Sequence, residues 1–401
     1  MEIRLSKDPT LYRARFLDPV VEPPIEDGAV ITARGVIVES GPYQRVKKGF
    51  LGPEQDLGDV LLLPALVNVH THLELSCLKW RLTPTGSFVG WVKNLLRLRG
   101  QIRPEETIAA AQEALKEMWR QGIGLLGDHG NTGLSVAVLR EAPLDSVFFR
   151  EVIDFRGKST LKEYLKENLT SGRVTYSLAP HAPYTVSPLL MQAIKSWTRK
   201  YGLPFSLHVA ESPEEVTFLK TGKGPIRELL AERGQWSASF VPPGLSPVFY
   251  LDQLGVLDQD TICVHLTQAS CEELELLAQR GSRPCLCLRS NTFLGVGIPK
   301  VPLMLKLGLK PCLGTDSLAS NDRLSVFAEM AAVAKFFPEI PADVILKMAT
   351  IWGAQALKRK DLGLITRDVR ADLLVIPWGE NFYEREGLIN HPPEQLGRLY
   401  G

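Results

Sequence analysis

Short apolar runs recur along the middle of the chain, and between most of them lie longer stretches whose apolar positions repeat at helical spacing. The runs are Val60–Asn68, Ile123–Asp128, Val147–Ile153, Val174–Ala179, Phe205–Val209, Thr261–Val264, Pro284–Leu288 and Cys312–Gly314. Apolar runs of this length, without alternation, fit parallel strands covered on both faces. Helical patterns fill the gaps at Pro104–Arg120, which opens on a proline, at Ser187–Tyr201 and at Asn321–Phe337. Strand–helix alternation repeated through about 300 residues predicts an α/β chain forming a TIM (β/α)8 barrel. A doubly wound open sheet is the alternative, but no G-x-G-x-x-G follows any of these runs.

The flanks have a different pattern. Leu11–Leu17, Ala29–Thr32 and Val36–Glu39 read as short strands with turn residues crowded between them. This segment is too small to bury a core alone, and Ala371–Ile376 near the far end offers a partner strand. The expected organisation is a small β domain composed of residues 1–60 and 362–401, with the barrel spanning 61–361.

Composition narrows the function classes. Lys and Arg total 46 against 45 acidic residues, so no basic field invites nucleic acid or an anionic membrane surface. The first twenty residues alternate charge and apolar character and carry no h-region, and no apolar stretch approaches the length of a bilayer span. A cytoplasmic location is the expectation. The six cysteines form no C-x-x-C pair; Cys285 and Cys287 share a strand face and suit either a soft metal or, as small apolar side chains, a core.

Chemistry in such a barrel gathers at the C-terminal ends of the strands. Those ends hold His70 and His72, Asp128 and His129, Arg150, His181, His208, His265, Arg289 and Asp316. All the chain's histidines except His391 fall in that set. On an extended strand His70 and His72 point to one face, where two imidazoles can reach one metal ion. The bland reading of the pair alone is a strand end with two polar residues; the clustering of the others argues for a site.

The set His70-Thr71-His72, His208-Val209-Ala210-Glu211, His265 and Thr315-Asp316-Ser317 resembles the amidohydrolase superfamily, in particular its mononuclear-metal deaminases of aromatic amines. More narrowly, His70–Ser76, Phe88-x-x-Trp91, Pro180–Tyr184, Arg289-Ser290-Asn291 and Leu313–Ser317 resemble the aminodeoxyfutalosine deaminases of menaquinone biosynthesis. The neighbouring adenosine and S-adenosylhomocysteine deaminases share several of these motifs. Leu288 departs from the pattern, since relatives commonly carry proline before Arg-Ser-Asn, and this leaves the fine shape of that loop open.

The resemblance implies a distorted barrel and one divalent metal, zinc or ferrous iron, held by His70, His72, His208 and Asp316. It implies hydrolysis by a metal-activated hydroxide, with Asp316 taking the water's proton, His265 hydrogen-bonding that water, and Glu211 protonating the ring nitrogen beside the attacked carbon. Glu211 also reads as a carboxylate at a helix N-terminus, with Ser212-Pro213-Glu214-Glu215 following it. The expected substrate contacts are Glu74, Trp91, His181, Arg150 and Arg289, with Arg156 as a further candidate for a substrate carboxylate. Trp91 equally suits core packing, because Phe88, Trp91, Val92 and Leu95 have helical spacing. The expected partner is a small-molecule substrate, and a homodimer is the commonest assembly for such a chain.

Two other readings compete. A binuclear amide hydrolase would carry a bridging lysine at the end of the fourth strand, where this chain has Ala179-Pro180-His181 and no lysine before Lys195. A non-catalytic relative would be expected to lose ligands, whereas every ligand position here is filled. Within the deaminase class, adenosine, S-adenosylhomocysteine and guanine are the alternative substrates.

Overall fold

In the computed structural model, which describes residues 2–166, 168–379, 385–393 and 395–401, the apolar run that begins at Val60 serves two sheets. The chain opens with β1 (Glu2–Arg4), β2 (Thr10–Leu17), β3 (Ile25–Ala33), β4 (Val36–Pro42), β5 (Glu54–Asp56) and β6 (Val60–Pro64). β2, β3 and β4 form an antiparallel meander, and β6 joins β2 in parallel at Phe16–Leu61 and Leu17–Leu62. Pro64 cannot extend the ladder with an N–H, and after Ala65 the strand β7 (Leu66–Thr71) starts a different sheet. The single strand expected over Val60–Asn68 is therefore two. An unbroken apolar run gives no pattern signal for the change of sheet, and Pro64 was its one marker.

After β7 come β8 (Ile123–Gly130), β9 (Asp145–Val152), β10 (Thr170–Ser171) and β11 (Val174–Pro180). Then follow β12 (Phe205–Val209), β13 (Thr261–His265), β14 (Arg283–Leu286) and β15 (Cys312–Leu313). β7, β8, β9 and β11 run parallel in one sheet, edged by the antiparallel β10, and β12 to β15 run parallel in a second. Backbone hydrogen bonds cross both gaps between the sheets. His70 O accepts from Thr315 N at 2.9 Å and Asp316 N at 3.0 Å, and His181 O accepts from His208 N at 2.9 Å. One buried cluster holds Val67, Leu125, Phe149, Ala179, Val264, Cys285 and Cys312, and so draws on strands of both sheets. The cysteines in it act as small apolar filler.

The helices Pro104–Arg120 and Pro188–Lys200 lie where the periodicity puts them, and their apolar faces pack on the outward faces of the strands. The run Pro284–Leu288 ends early as a strand: β14 stops at Leu286, and Leu288 begins the helix Leu288–Leu294. The helical pattern at Asn321–Phe337 starts late, at Val326, where Ser325 Oγ accepts from Ala328 N.

The chain returns through β16 (Leu373–Pro377) and β17 (Gly397–Tyr400). β16 pairs antiparallel with both β6 and β17, and β17 pairs in parallel with β1, so both chain ends enter one sheet. Over the C-terminal ends of the parallel strands sits a separate apolar cluster. It joins Trp91 and Leu95 of the helix Phe88–Arg99 to Phe155, Ala182, Tyr184, Phe218, Leu294 and Ala319, from segments that follow the strands. No helix among the described residues is long and apolar enough to cross a membrane.

Candidate functional site

The chamber under that apolar roof is lined by histidines. β7 ends in His70 and His72, whose rings meet edge to face with centroids 4.8 Å apart, and β12 supplies His208. His70 Nε2 and His208 Nε2 face each other at 3.2 Å. Asp316 Oδ1 lies 3.6 Å from His72 Nε2 and 3.9 Å from His70 Nε2. His265 ends β13, with Nε2 3.5 Å from Glu211 Oε1. The turns that carry these side chains are strained: Ala210, His265, Leu266 and Asp316 all have left-handed φ, between 52° and 77°. Such backbone clusters at functional sites because surrounding structure must hold it in place.

Backbone and amide acceptors fix the tautomers. His72 Nδ1 donates to His129 O at 3.0 Å, His208 Nδ1 to His181 O at 2.8 Å, and His265 Nδ1 to Asn291 Oδ1 at 2.8 Å. Each bond leaves the Nε2 lone pair turned into the chamber. Burial pushes the imidazoles toward their neutral forms: His72 and His265 fall to about 4, and His70 and His208 also fall. His208 Nε2 is left as an acceptor by its Nδ1 bond, and His70, whose Nδ1 is buried with no hydrogen-bond partner among the described residues, turns Nε2 to the same point at 3.2 Å. The donor set therefore fits a divalent metal, and His70, His72 and Asp316 form one group able to hold it, with His70, His208 and His265 a second, overlapping group.

The carboxyls of the site are pushed in opposite directions. Burial alone would raise Asp316, but His72, His265, Ser290 and His208 together hold it below the ordinary carboxyl value. Glu211 is raised well above it by burial, then by Asp316 and Glu215 nearby. Environments that separate two carboxyls in this way suit one as base and the other as acid. Ser290 Oγ donates to Asp316 Oδ2 at 2.5 Å and Ser320 Oγ at 3.2 Å, which leaves Oδ1 for the histidines. Glu215 accepts Ala210 N at 3.0 Å and Glu211 N at 2.8 Å, and Thr267 Oγ1 donates to Glu211 O at 2.5 Å, so the segment carrying Glu211 is pinned on both sides.

The side chains expected to touch a substrate fare unevenly. His181 reaches the site, its ring 4.8 Å from that of His208 and its Nδ1 held by Thr185 Oγ1 at 3.0 Å. Trp91 is buried in the roof with Leu95 and Tyr184. Glu74 is committed elsewhere: it accepts the backbone N–H groups of Thr132, Gly133 and Leu134 at 2.6 to 3.0 Å and bonds Arg99. Arg289 is ion-paired with Asp322. Arg150 leans away from the histidines. Strand alternation puts Phe149 and Glu151 on the inner face of β9 and Arg150 on the other, toward Gly133. Arg156 donates to Gly234 O in a surface loop.

Sequence reading missed Glu151, and it named His129 and Ser290 without giving either a role. Glu151 lies 3.6 Å from His72 Nδ1 and 3.8 Å from His208 Nδ1, and burial raises it to about 8 against the opposing charge of Arg99. His129 stacks on Phe149 and sits under His70, with centroids 4.2 Å apart. The available signal for Glu151 was period-two alternation within β9, which selects it over its charged neighbour.

A model of the amidohydrolase family matches residues 61–387. An aminodeoxyfutalosine deaminase of Deinococcus radiodurans is 27% identical over 345 residues, covering 82% of this chain and 81% of the relative. A 5-methylthioadenosine/S-adenosylhomocysteine deaminase of Halalkalibacterium halodurans is 30% identical over 386 residues, covering 88% and 81%. Among solved structures, the Helicobacter pylori aminofutalosine deaminase in complex with methylthio-coformycin superposes with a TM-score of 0.85. It is 27% identical, and the match covers 96% of this chain and 97% of that one.

Proposed function

The chain belongs to the amidohydrolase family, and from that premise we propose that it is a metal-dependent deaminase acting on the exocyclic amine of a purine-type nucleoside. Its favoured substrate is aminodeoxyfutalosine, which places it in menaquinone biosynthesis. The observation that carries this reading is the convergence of the His70, His72 and His208 Nε2 atoms and Asp316 Oδ1 beside Glu211 and His265. The two deaminase relatives and the nucleoside-like ligand of the solved relative support it. The two parallel sheets are read as halves of one distorted (β/α)8 barrel. The backbone bonds across both gaps, and the cluster shared between the sheets, support that reading.

His70, His72, His208 and Asp316 would hold one divalent ion, with zinc favoured by three imidazoles and a carboxylate. When bound, the metal supplies Lewis acidity, which lowers the pKa of water from 15.7 toward about 7. The chain's own residues move the protons. Asp316, held ionised, takes a proton from the attacking water as its oxygen bonds to the ring carbon that bears the amine. Glu211, kept protonated by burial, gives its proton to the adjacent ring nitrogen, so the C=N electron pair settles there. Asp316 then returns its proton to the amine, and the remaining hydroxyl proton restores Glu211. The C–N bond breaks, a carbonyl forms, and ammonia leaves. His265, fixed by Asn291, directs Nε2 at the attacking oxygen, and the roof of Trp91 and Tyr184 keeps bulk water from the ring.

The identity with a 5-methylthioadenosine/S-adenosylhomocysteine deaminase supports a second reading, with the same chemistry on a different 5′ group. Ammonia release from aminodeoxyfutalosine, adenosine, 5-methylthioadenosine, S-adenosylhomocysteine and guanine decides between them. The first should have the highest kcat/KM. Equal or faster turnover of S-adenosylhomocysteine would favour the second reading, and faster turnover of guanine would contradict both.

A further inference from the structure

The favoured substrate differs from adenosine in carrying a carboxylate on an extended arm, so a cation near the chamber but away from the metal ligands would favour it over adenosine. Of the arginines that the sequence offers for this, Arg289 pairs with Asp322, Arg156 sits in a surface loop with Nη1 on Gly234 O, and Arg150 lies on the outer face of β9. A further arginine, Arg99, ends the roof helix that carries Trp91 and Leu95. We propose that Arg99, the last residue of the helix Phe88–Arg99, binds the anionic arm of the nucleoside and sets the preference for it over neutral nucleosides.

This proposal rests on the deaminase reading above and deepens it. The helix Phe88–Arg99 forms part of the roof through Phe88, Val89, Trp91 and Leu95, which places its last turn beside the loop that follows β8. There Arg99 Nη2 donates to Asn131 Oδ1 at 2.5 Å and lies 3.5 Å from Glu74 Oε2. Glu74 spreads its charge over the three N–H groups of residues 132–134, and its side chain is only 2% exposed. It therefore serves as an anchor for the guanidinium, not as a lid over it. Arg99 Nε and Nη1 have no partner among the described residues and are not sealed from solvent, since the side chain is 25% exposed. A guanidinium tied by one nitrogen, with two left open, is pre-oriented for a bidentate carboxylate.

Its direction is also favourable. Its bonded partner Glu74 lies on the short helical turn that directly follows His72, which sets the guanidinium close to the end of β7. A nucleoside with its base at the histidines can thus extend an arm toward this cation.

The test compares kcat/KM for aminodeoxyfutalosine and for its carboxylate methyl ester, which keeps the shape and removes the charge. The wild-type protein should favour the acid, and Arg99→Met should lower the acid-to-ester ratio by about 10- to 100-fold. Arg99→Lys, which keeps the charge but loses the fork, should retain part of the preference. Melting temperature and metal content show that each variant is folded. If Arg99→Met fails to fold, Arg99→Gln, which keeps a donor for Asn131, reads the same ratio. An unchanged ratio in the folded variants overturns Arg99 and leaves the deaminase reading standing. A wild-type ratio near one, with both compounds deaminated, also overturns Arg99 alone. Failure to deaminate either compound overturns the substrate reading and Arg99 with it.

Discussion

Ser290 Oγ donates to Asp316 Oδ2 at 2.5 Å, and that bond decides which carboxylate oxygen faces the histidines. Without it, Ser320 Oγ, at 3.2 Å, is the remaining hydrogen-bond donor to Oδ2 among the described residues. Ser290→Ala should lower kcat by about 10-fold, the scale of one hydrogen bond to a charged group, with KM little changed. Steady-state kinetics check this. Ser290→Thr, which restores a hydroxyl, should recover part of the loss, and a rise in KM at constant kcat would oppose the assignment.

Glu211 and His208 sit three residues apart but should fail in different ways. Glu211→Gln removes a proton donor and keeps the histidine set, so metal content should stay near wild type while turnover falls by about 10²-fold or more. His208→Ala removes an Nε2 donor and should lose the metal. Metal analysis alongside ammonia release separates the two; a Glu211→Gln protein with near-normal turnover would remove Glu211 from the mechanism.

Glu74 offers a contrast between a substrate contact and an anchor. Its carboxylate accepts three backbone N–H groups of the loop after β8. Glu74→Gln replaces one acceptor with an NH2 group facing those donors. It should destabilise the protein by about 1–3 kcal/mol, visible in urea unfolding. A direct substrate contact would instead raise KM with no change in stability.

One pH dependence follows from the far side of the strands. Lys195, 2% exposed, bonds Asp258 Oδ1 at 2.5 Å and Thr261 Oγ1 at 2.7 Å. Burial alone would raise Asp258, but Lys195 and Arg199 hold it below the ordinary carboxyl value. A depressed carboxyl stabilises the fold fully above its unfolded pKa, about 3.9, and that contribution is lost as pH falls from there through the lower folded value. Asp258→Asn, which strands a buried ammonium, should therefore cost about 3–5 kcal/mol at pH 7 and less at about pH 3, where protonation of the wild-type carboxyl has begun to remove its contribution. Unfolding curves at the two pH values measure the difference, and an equal cost at both would contradict it.

The histidine set was legible because strand ends and period-two spacing are written directly in the residues: His70 and His72 share a face as any i, i+2 pair on a strand must. The same alternation in β9 selects Glu151, buried beside two histidines, over Arg150, whose charge is the more conspicuous in the sequence. Glu74 and Arg289 have partners, in the loop after β8 and in Asp322, that lie far off in sequence or on loops without periodicity. No local pattern announces such contacts. The two-sheet use of the run from Val60 to Thr71 was hidden for a related reason: both halves are buried, so polarity never changes where the chain leaves one sheet for the other.

The central claim is that this site adds water across a ring C=N bond and expels the exocyclic amine. The measurement that tests it most directly is turnover of aminodeoxyfutalosine in ¹⁸O-labelled water, with ammonia and product mass read on the same sample. The account predicts one ammonia per product and one ¹⁸O atom at the carbon that carried the amine, both formed about 10²-fold more slowly or worse in Glu211→Gln. Recovery of unlabelled substrate with no ammonia, or ammonia release that survives loss of the metal, would contradict it.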